Sequence, residues 1–190
     1  MKANTSQKRS GFTLIEMLVV IAIIAILAGL LFPAINRALE TAKRNQAAAD
    51  VRSIAGAITM FYNDYGYFPI PLPRTGRPDD GDGGGNLVSA EESKNIIQVL
   101  IAEPGTHNPN HGLNPRRKVY LSMPNVQSDG TLEDPWGNQY LIKLDTNLDN
   151  IIEFFGVYHR VRALVISLGE PPDRATLGSP RNIANVDLQL

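Results

Sequence analysis

The chain has 190 residues, no cysteine, and 18 Lys+Arg against 19 Asp+Glu, a formal charge of −1. With about 50 residues committed to an N-terminal helix, that length leaves room for one soluble domain of ordinary size. No basic excess points to nucleic acid as a partner, and without cysteine no disulfide holds the domain together.

Residues 1–11, MKANTSQKRSG, are polar and basic, with Lys2, Lys8 and Arg9 and no acid. Residues 12–32 follow as an apolar run interrupted only by Thr13 and Glu16. A helix needs about 20 such residues to cross a bilayer, so the run is long enough to span. The Lys and Arg excess beside it predicts that this flank stays in the cytoplasm. A secretory signal would carry a small-residue cleavage site after its apolar region. Residues 28–36, AGLLFPAIN, have no A-x-A pattern, and the break in character lies earlier, at Gly11 and Phe12. Glu16 is the chemically telling position. A charge at membrane depth costs about 2.5–3.5 kcal/mol even on lenient insertion scales, so a partner cation is expected. The plainer alternative is an ordinary anchor that tolerates a carboxylate near the interface.

The phrase G-F-T-L-I-E at residues 11–16, followed by its apolar stretch, resembles the type IV prepilin signal shared by pilins and by the pseudopilins of type II secretion. The resemblance implies a prepilin peptidase that cuts after Gly11 and methylates the new N-terminal residue, Phe12. It also places the family's assembly glutamate at Glu16. Cleavage would free an α-amino group, which is charged near neutral pH. In a filament core the Phe12 amine of one subunit would neutralise Glu16 of its neighbour, and the two desolvation costs are offset only when the charges meet. Loss of Lys2, Lys8 and Arg9 reduces the 18 basic residues to 15 against 19 acidic ones, a mature charge of −4. Many type IV pilins close a C-terminal loop with a disulfide, so a chain without cysteine resembles the pseudopilins more closely.

Past Pro33 the helical pattern resumes: Ile35, Ala38, Leu39 and Ala42, then Val51, Ile54, Ala55, Ile58, Phe61 or Tyr62, and Tyr65, recur at spacings of three and four. One helix is predicted over residues 12–65, ended by Gly66. Pro33, with no N–H and Gly29 just before it, predicts a kink or a melted turn. That is either a soft point that helps a filament pack, or a proline that a helix leaving the membrane tolerates.

Residues 63–87 are dense in Pro, Gly and Asp and read as turn and loop. D-Y-G-Y-F-P at 64–69 resembles the phrase after the stem helix of major pseudopilins, where aromatics and Pro wedge the next segment back on the helix. Asp79, Asp80, Asp82 and Asn86 are a weak cation cluster, more simply read as a solvated loop. Residues 89–102 predict a short helix with Ser89 as N-cap. His107 and His111 lie four apart, but Pro109 between them argues against a helical metal pair.

From residue 118 the pattern turns to strands, predicted at 118–121, 139–144 and 161–167. D-P-W-G-N-Q-Y at 134–140 resembles the D-P-W-G-N-x-Y block of major pseudopilins. Pro135 and Gly137 predict a tight turn, and Trp136 is expected to cap the apolar face between sheet and stem. Asp145, Asn147 and Asp149, with Glu153 beyond, read as the first half of a calcium loop, D-x-N-x-D. Asn150 takes the sixth position, where an EF-hand has Gly, and Gly156 takes the twelfth, which excludes a true EF-hand. A polar hairpin turn is the alternative. Ser167-Leu168-Gly169 matches a phrase that precedes a calcium loop in major pseudopilins. The continuation here offers only Glu170, Asp173 and Asp187, which departs from that pattern.

The expected architecture is therefore α+β and pilin-like: a long N-terminal transmembrane and stem helix packed on a small antiparallel β-sheet. Its parts are a cleaved leader (1–11), a transmembrane and filament-core helix (12–32), a stem (33–66) and a periplasmic domain (67–190). The resemblance implies a single-pass subunit of the bacterial inner membrane, cytoplasmic at its N-terminus, that polymerises into a periplasmic pseudopilus driving protein export. Implied partners are further copies of itself, a prepilin peptidase, an assembly ATPase with its inner-membrane platform, and minor pseudopilins. Calcium is the one cofactor suggested. The alternatives are a type IV pilin for adhesion, motility or DNA uptake, and a tethered periplasmic ligand-binding domain. An enzyme is the weakest reading, since there is no Ser/His/Asp order, no pair of carboxylates in a plausible cleft and no phosphate-cradling motif.

Overall fold

The computed structural model describes residues 12–70, 89–105, 108–154, 157–169 and 183–184, with only the backbone at 154, 157, 183 and 184. The chain divides into two compact units, Met1–Ala42 and Lys43–Leu190. Helix α1 runs Leu14–Tyr65, within two residues of the extent expected from periodicity. The helix continues through Pro33 without interruption, so no turn is melted there. Gly29 stands four residues before, where a proline ring crowds the carbonyl, and glycine gives that carbonyl freedom to tilt away.

Burial divides α1 more sharply than its sequence pattern does. Ala47, Asp50, Val51, Ile54, Ala57, Ile58 and Phe61 are buried on one stripe, whereas Ile35 and Leu39 are exposed. The stripe expected from residue 35 onward thus begins only at Ala47. Gly66, in the left-handed conformation that favours glycine (φ +74°), ends the helix, and its N–H donates to the Tyr62 carbonyl. Beyond it the chain folds back: Tyr67 meets Phe61 edge-on at 5.8 Å, and Phe68 lies 4.8 Å from Tyr62.

Helix α2 spans Ala90–Leu100 behind a full capping box, with Ser89 accepting from the Glu92 N–H and Glu92 accepting from Ser89. It buries Ile96, Ile97, Val99 and Leu100 in the same core as the α1 stripe. A sheet of order β1-β4-β5 is antiparallel throughout, formed by β1 (Leu141–Leu144), β4 (Ala163–Ser167) and β5 (Ile183–Ala184). A separate antiparallel pair, β2 (Ile152–Phe154) and β3 (Val157–His159), was not anticipated from the sequence. Ile142, Leu144, Ala163 and Val165 join the helical core, while Leu164 and Ile166 pack with Ile152 of β2. Both faces of β4 are covered, which is why it reads as one apolar run.

Residues 118–121 are not a strand. The N–H groups of Tyr120 and Leu121 donate instead to the Leu100 carbonyl at the end of α2, and Lys118 pairs with Asp64 at 2.6 Å. Buried Asn114 organises this segment, donating to the Val99 and Lys118 carbonyls and accepting from Tyr65 and from the Lys118 N–H. The aromatic plug under the sheet is Tyr140, fully buried, rather than the half-buried Trp136, which lies outside the core cluster. Tyr140 sits on the apolar side of its turn and donates its hydroxyl to Asp50 on α1 at 2.9 Å.

Burial holds the Asp50 carboxyl above its ordinary pKa, and the Tyr140 hydrogen bond opposes that shift in part. The folded state therefore binds this proton more tightly than the unfolded chain. The associated stability is fully present below the unfolded value of about 3.9 and is lost as pH rises through the folded value. Asp50→Asn keeps an acceptor for Tyr140 and removes this titration. Thermal unfolding of the full-length protein in detergent should show the variant losing less stability than wild type between pH 4 and 7. Tyr140→Phe leaves the carboxylate buried without its donor and should cost about 1–3 kcal/mol.

Candidate functional site

Among the described residues, the main candidate positions read from the sequence fall in two places, one in each unit. The first is the start of α1. Phe12, Leu14, Ile15, Val19 and Val20 are exposed, and Phe12, Ile15, Val19 and Val20 line a shallow apolar groove around Glu16. The Thr13 N–H and hydroxyl both donate to Glu16 Oε2 at 2.8 Å, and the Glu16 N–H donates to Thr13 Oγ1 at 3.3 Å. This is a capping box with Thr13 as N-cap and Glu16 at the third helical position. The T-x-x-E spacing at residues 13–16 is the local sequence signal for this box. The carboxylate is thus held by its own helix end. Gly11 lies outside the described residues.

The second place is the loop between β1 and β2. Asp145 is buried at its head and 1% exposed, whereas Asn147 and Asp149 are exposed. Asp145 Oδ2 accepts from the Asn150 N–H at 2.9 Å, Asn147 Oδ1 from the Asp149 N–H at 3.1 Å, and Asp149 Oδ1 from the Ile151 N–H at 2.7 Å. Leu148 and Asn150 take the left-handed conformation (φ 65° and 62°), so Asn150 does fill a glycine-like position. Burial raises the Asp145 pKa, opposed in part by the Asn150 amide.

Glu153 does not join this set. It lies on β2, on the side opposite its buried neighbour Ile152, and its carbonyl accepts from Lys143 Nζ at 2.9 Å. No cluster of three His, Cys, Asp or Glu side chains occurs among the described residues. His111 sits in the turn Pro109–His111 with no such neighbours, and His107 is outside the described residues. So are Asp79, Asp80, Asp82, Asn86, Glu170, Asp173 and Asp187.

The two phrases 134–140 and 167–169 prove to be one structure. Gly137, at φ +83°, closes a tight turn with its N–H on the Asp134 carbonyl. The Asp134 carboxylate accepts from the N–H groups of Trp136 and Asn138, from the Asn138 amide and from the Ser167 hydroxyl at 2.7 Å. Asn138 donates onward to the Gly169 carbonyl at 2.8 Å. The arrangement is structural, tying the turn before β1 to the end of β4.

Residues 6–32 match the family described as the prokaryotic N-terminal methylation motif. Over 138 residues the chain is 31% identical to the type II secretion system core protein G of Pseudomonas aeruginosa, covering 70% of this chain and 72% of that protein. The protein of the same name from Escherichia coli K12 is 36% identical over 140 residues, covering 73% and 74%. The chain belongs to the type II secretion system core protein G family. A fimbrial protein of Neisseria meningitidis is 33% identical over 106 residues, covering 55% of this chain and 61% of that protein. No solved structure matches the chain. Family membership agrees with the α+β, pilin-like architecture described above.

The capping box gives a direct test. Thr13→Val keeps the shape and removes the hydroxyl, at a cost of about 1 kcal/mol at the helix end. Hydrogen exchange in detergent should show roughly fivefold faster exchange at residues 14–17, with residues 47–61 unchanged.

Proposed function

We propose that this chain is the major pseudopilin of a type II secretion system, a structural subunit that polymerises into a periplasmic filament driving protein export. The family relationship over more than two thirds of the chain carries this reading. In it, residues 1–11 are the leader, 12–32 the inner-membrane anchor and later filament core, 33–66 the stem, and 67–190 the periplasmic domain. The basic leader remains cytoplasmic. A prepilin peptidase cuts after Gly11 and methylates Phe12, while an assembly ATPase and its membrane platform drive growth and minor pseudopilins complete the filament. The subunit's own work is mechanical, not catalytic.

The exposed apolar surface around Glu16 supports the assembly chemistry. When a subunit leaves the membrane for the filament, a neighbouring copy covers that surface. The Phe12 amine of the neighbour replaces Thr13 as partner of Glu16, favouring one axial register. The fimbrial relatives support a second reading, a type IV pilin. Deleting the gene separates the two: loss of protein export with surface motility intact fits the pseudopilus, and the reverse fits the pilus.

Processing and assembly are tested separately. Mass spectrometry of the mature protein should find N-methylated Phe12 as its first residue, and Gly11→Val should leave the full chain uncut. Glu16→Ala should be cut normally yet assemble poorly. An amine left unpaired in an apolar core costs about 3 kcal/mol, on the order of a hundredfold in the assembly equilibrium. Crosslinked ladders of wild-type length from the Glu16→Ala protein would exclude the charge-pair role.

A further inference from the structure

Among the described residues, Asp145 stands apart from the other buried carboxylates: its Oδ1 is buried with no hydrogen-bond partner. Its Oδ2 is fixed by the Asn150 N–H, so the carboxylate is turned into the 145–151 loop and cannot rotate out to water without breaking that bond. A buried carboxylate oxygen lacking a donor costs on the order of 1–3 kcal/mol, and such an atom calls for an occupant. Two cations beside this loop are engaged elsewhere. Arg162 donates to Asn150 Oδ1 at 3.2 Å and lies over the Tyr62 ring at 4.7 Å. Lys143 Nζ is held by the Glu153 carbonyl.

The oxygens that could answer Asp145 follow at alternate positions. Asn147 Oδ1 and the Asp149 carboxylate are exposed at positions three and five, and spacing gives position seven to the Ile151 carbonyl. Each side-chain oxygen that accepts one backbone N–H retains a second lone pair. Asn147 Nδ2 donates to Asp149 Oδ2 at 3.0 Å, the contact a cation would replace by turning the amide oxygen inward. The donors are all hard oxygens on a loop without a fixed octahedral frame, which suits a large divalent cation better than Mg²⁺.

We propose that the β1–β2 loop is a calcium site, with Asp145, Asn147 and Asp149 as side-chain ligands and water completing the shell. The ion supplies the missing partner of Asp145 Oδ1 and joins the end of β1 to the start of β2. With only two carboxylates, affinity falls in the range of extracellular modules, a Kd of about 10⁻⁴–10⁻³ M. The site is complete within one subunit and does not depend on filament formation.

Calorimetric titration of CaCl2 into the full-length protein in detergent, after chelation, tests this directly, with MgCl2 as the control. The expected result is one calcium per chain, a higher melting temperature in millimolar calcium, and at least tenfold weaker magnesium binding. Asn147→Ala and Asp149→Ala alter exposed positions that leave the core packed. Each should weaken calcium at least tenfold while the calcium-free melting temperature stays near wild type. Asp145→Asn should abolish binding and keep an acceptor for the Asn150 N–H. No heat or melting shift up to 10 mM calcium would overturn the site. So would a response unchanged in both exposed variants, or one removed instead by Asp187→Ala.

Discussion

One stripe of α1, from Ala47 to Phe61, has to be covered, and the soluble unit is arranged around that requirement. α2 covers it with Ile96, Ile97 and Leu100, the sheet with Ile142, Leu144, Ala163 and Val165, and the bend after Gly66 with Phe68. Apolar packing alone would allow neighbouring elements to slide by a turn. Asp50, the one carboxylate on the stripe, removes that freedom, because a single placement of Tyr140 satisfies it. The Ser93 hydroxyl does the same for α2, accepting from the N–H of Ile142 at 3.1 Å. The sheet is thus located against both helices by directional bonds and held there by apolar area.

The same helix meets different surroundings along its length. Residues 12–32 are apolar and exposed, a condition a single copy in water cannot sustain, and the helix is long and apolar enough to cross a membrane. Between them and the buried stripe, Arg37, Glu40, Lys43 and Arg44 give a charged segment suited to water. The Thr13–Glu16 cap gives the carboxylate at the apolar end donors from its own helix. A carboxylate with local donors tolerates storage in a membrane far better than a bare one.

Legibility followed locality. α1 and α2 were readable to within two residues because periodicity, Gly66 and the Ser89–Glu92 box are all local signals. The strand expected at 118–121 was not, since Val119 is exposed while Leu121 is buried, and the backbone partner is the end of a helix 20 residues earlier. β2 and β3 are obscured in the sequence because the polar residues 145–153 resemble one loop, although Ile152 already belongs to a strand. That boundary also separates the acidic residues: Asp145, Asn147 and Asp149 lie in the β1–β2 loop, while Glu153 stands on β2 and follows strand alternation. The choice between Trp136 and Tyr140 as the core aromatic depends on which side of the 134–138 turn faces α1, and only tertiary packing sets that.

A domain without cysteine must fix distant segments by other means, and here buried polar groups take that part. Asp134 gathers Trp136, Asn138 and Ser167, while Asn114 gathers Val99, Lys118 and Tyr65. Hydrogen bonds to a charged group contribute about 1.5–3 kcal/mol each, so a cluster such as that on Asp134 rivals the 2–5 kcal/mol of a native disulfide in a small domain. The physical character differs. A disulfide constrains the unfolded chain, whereas these bonds form only in the final geometry and so specify register as well as stability. Against that background the bare oxygen of Asp145 is an exception among the described buried carboxylates, and it sits in the loop where β1 passes to β2.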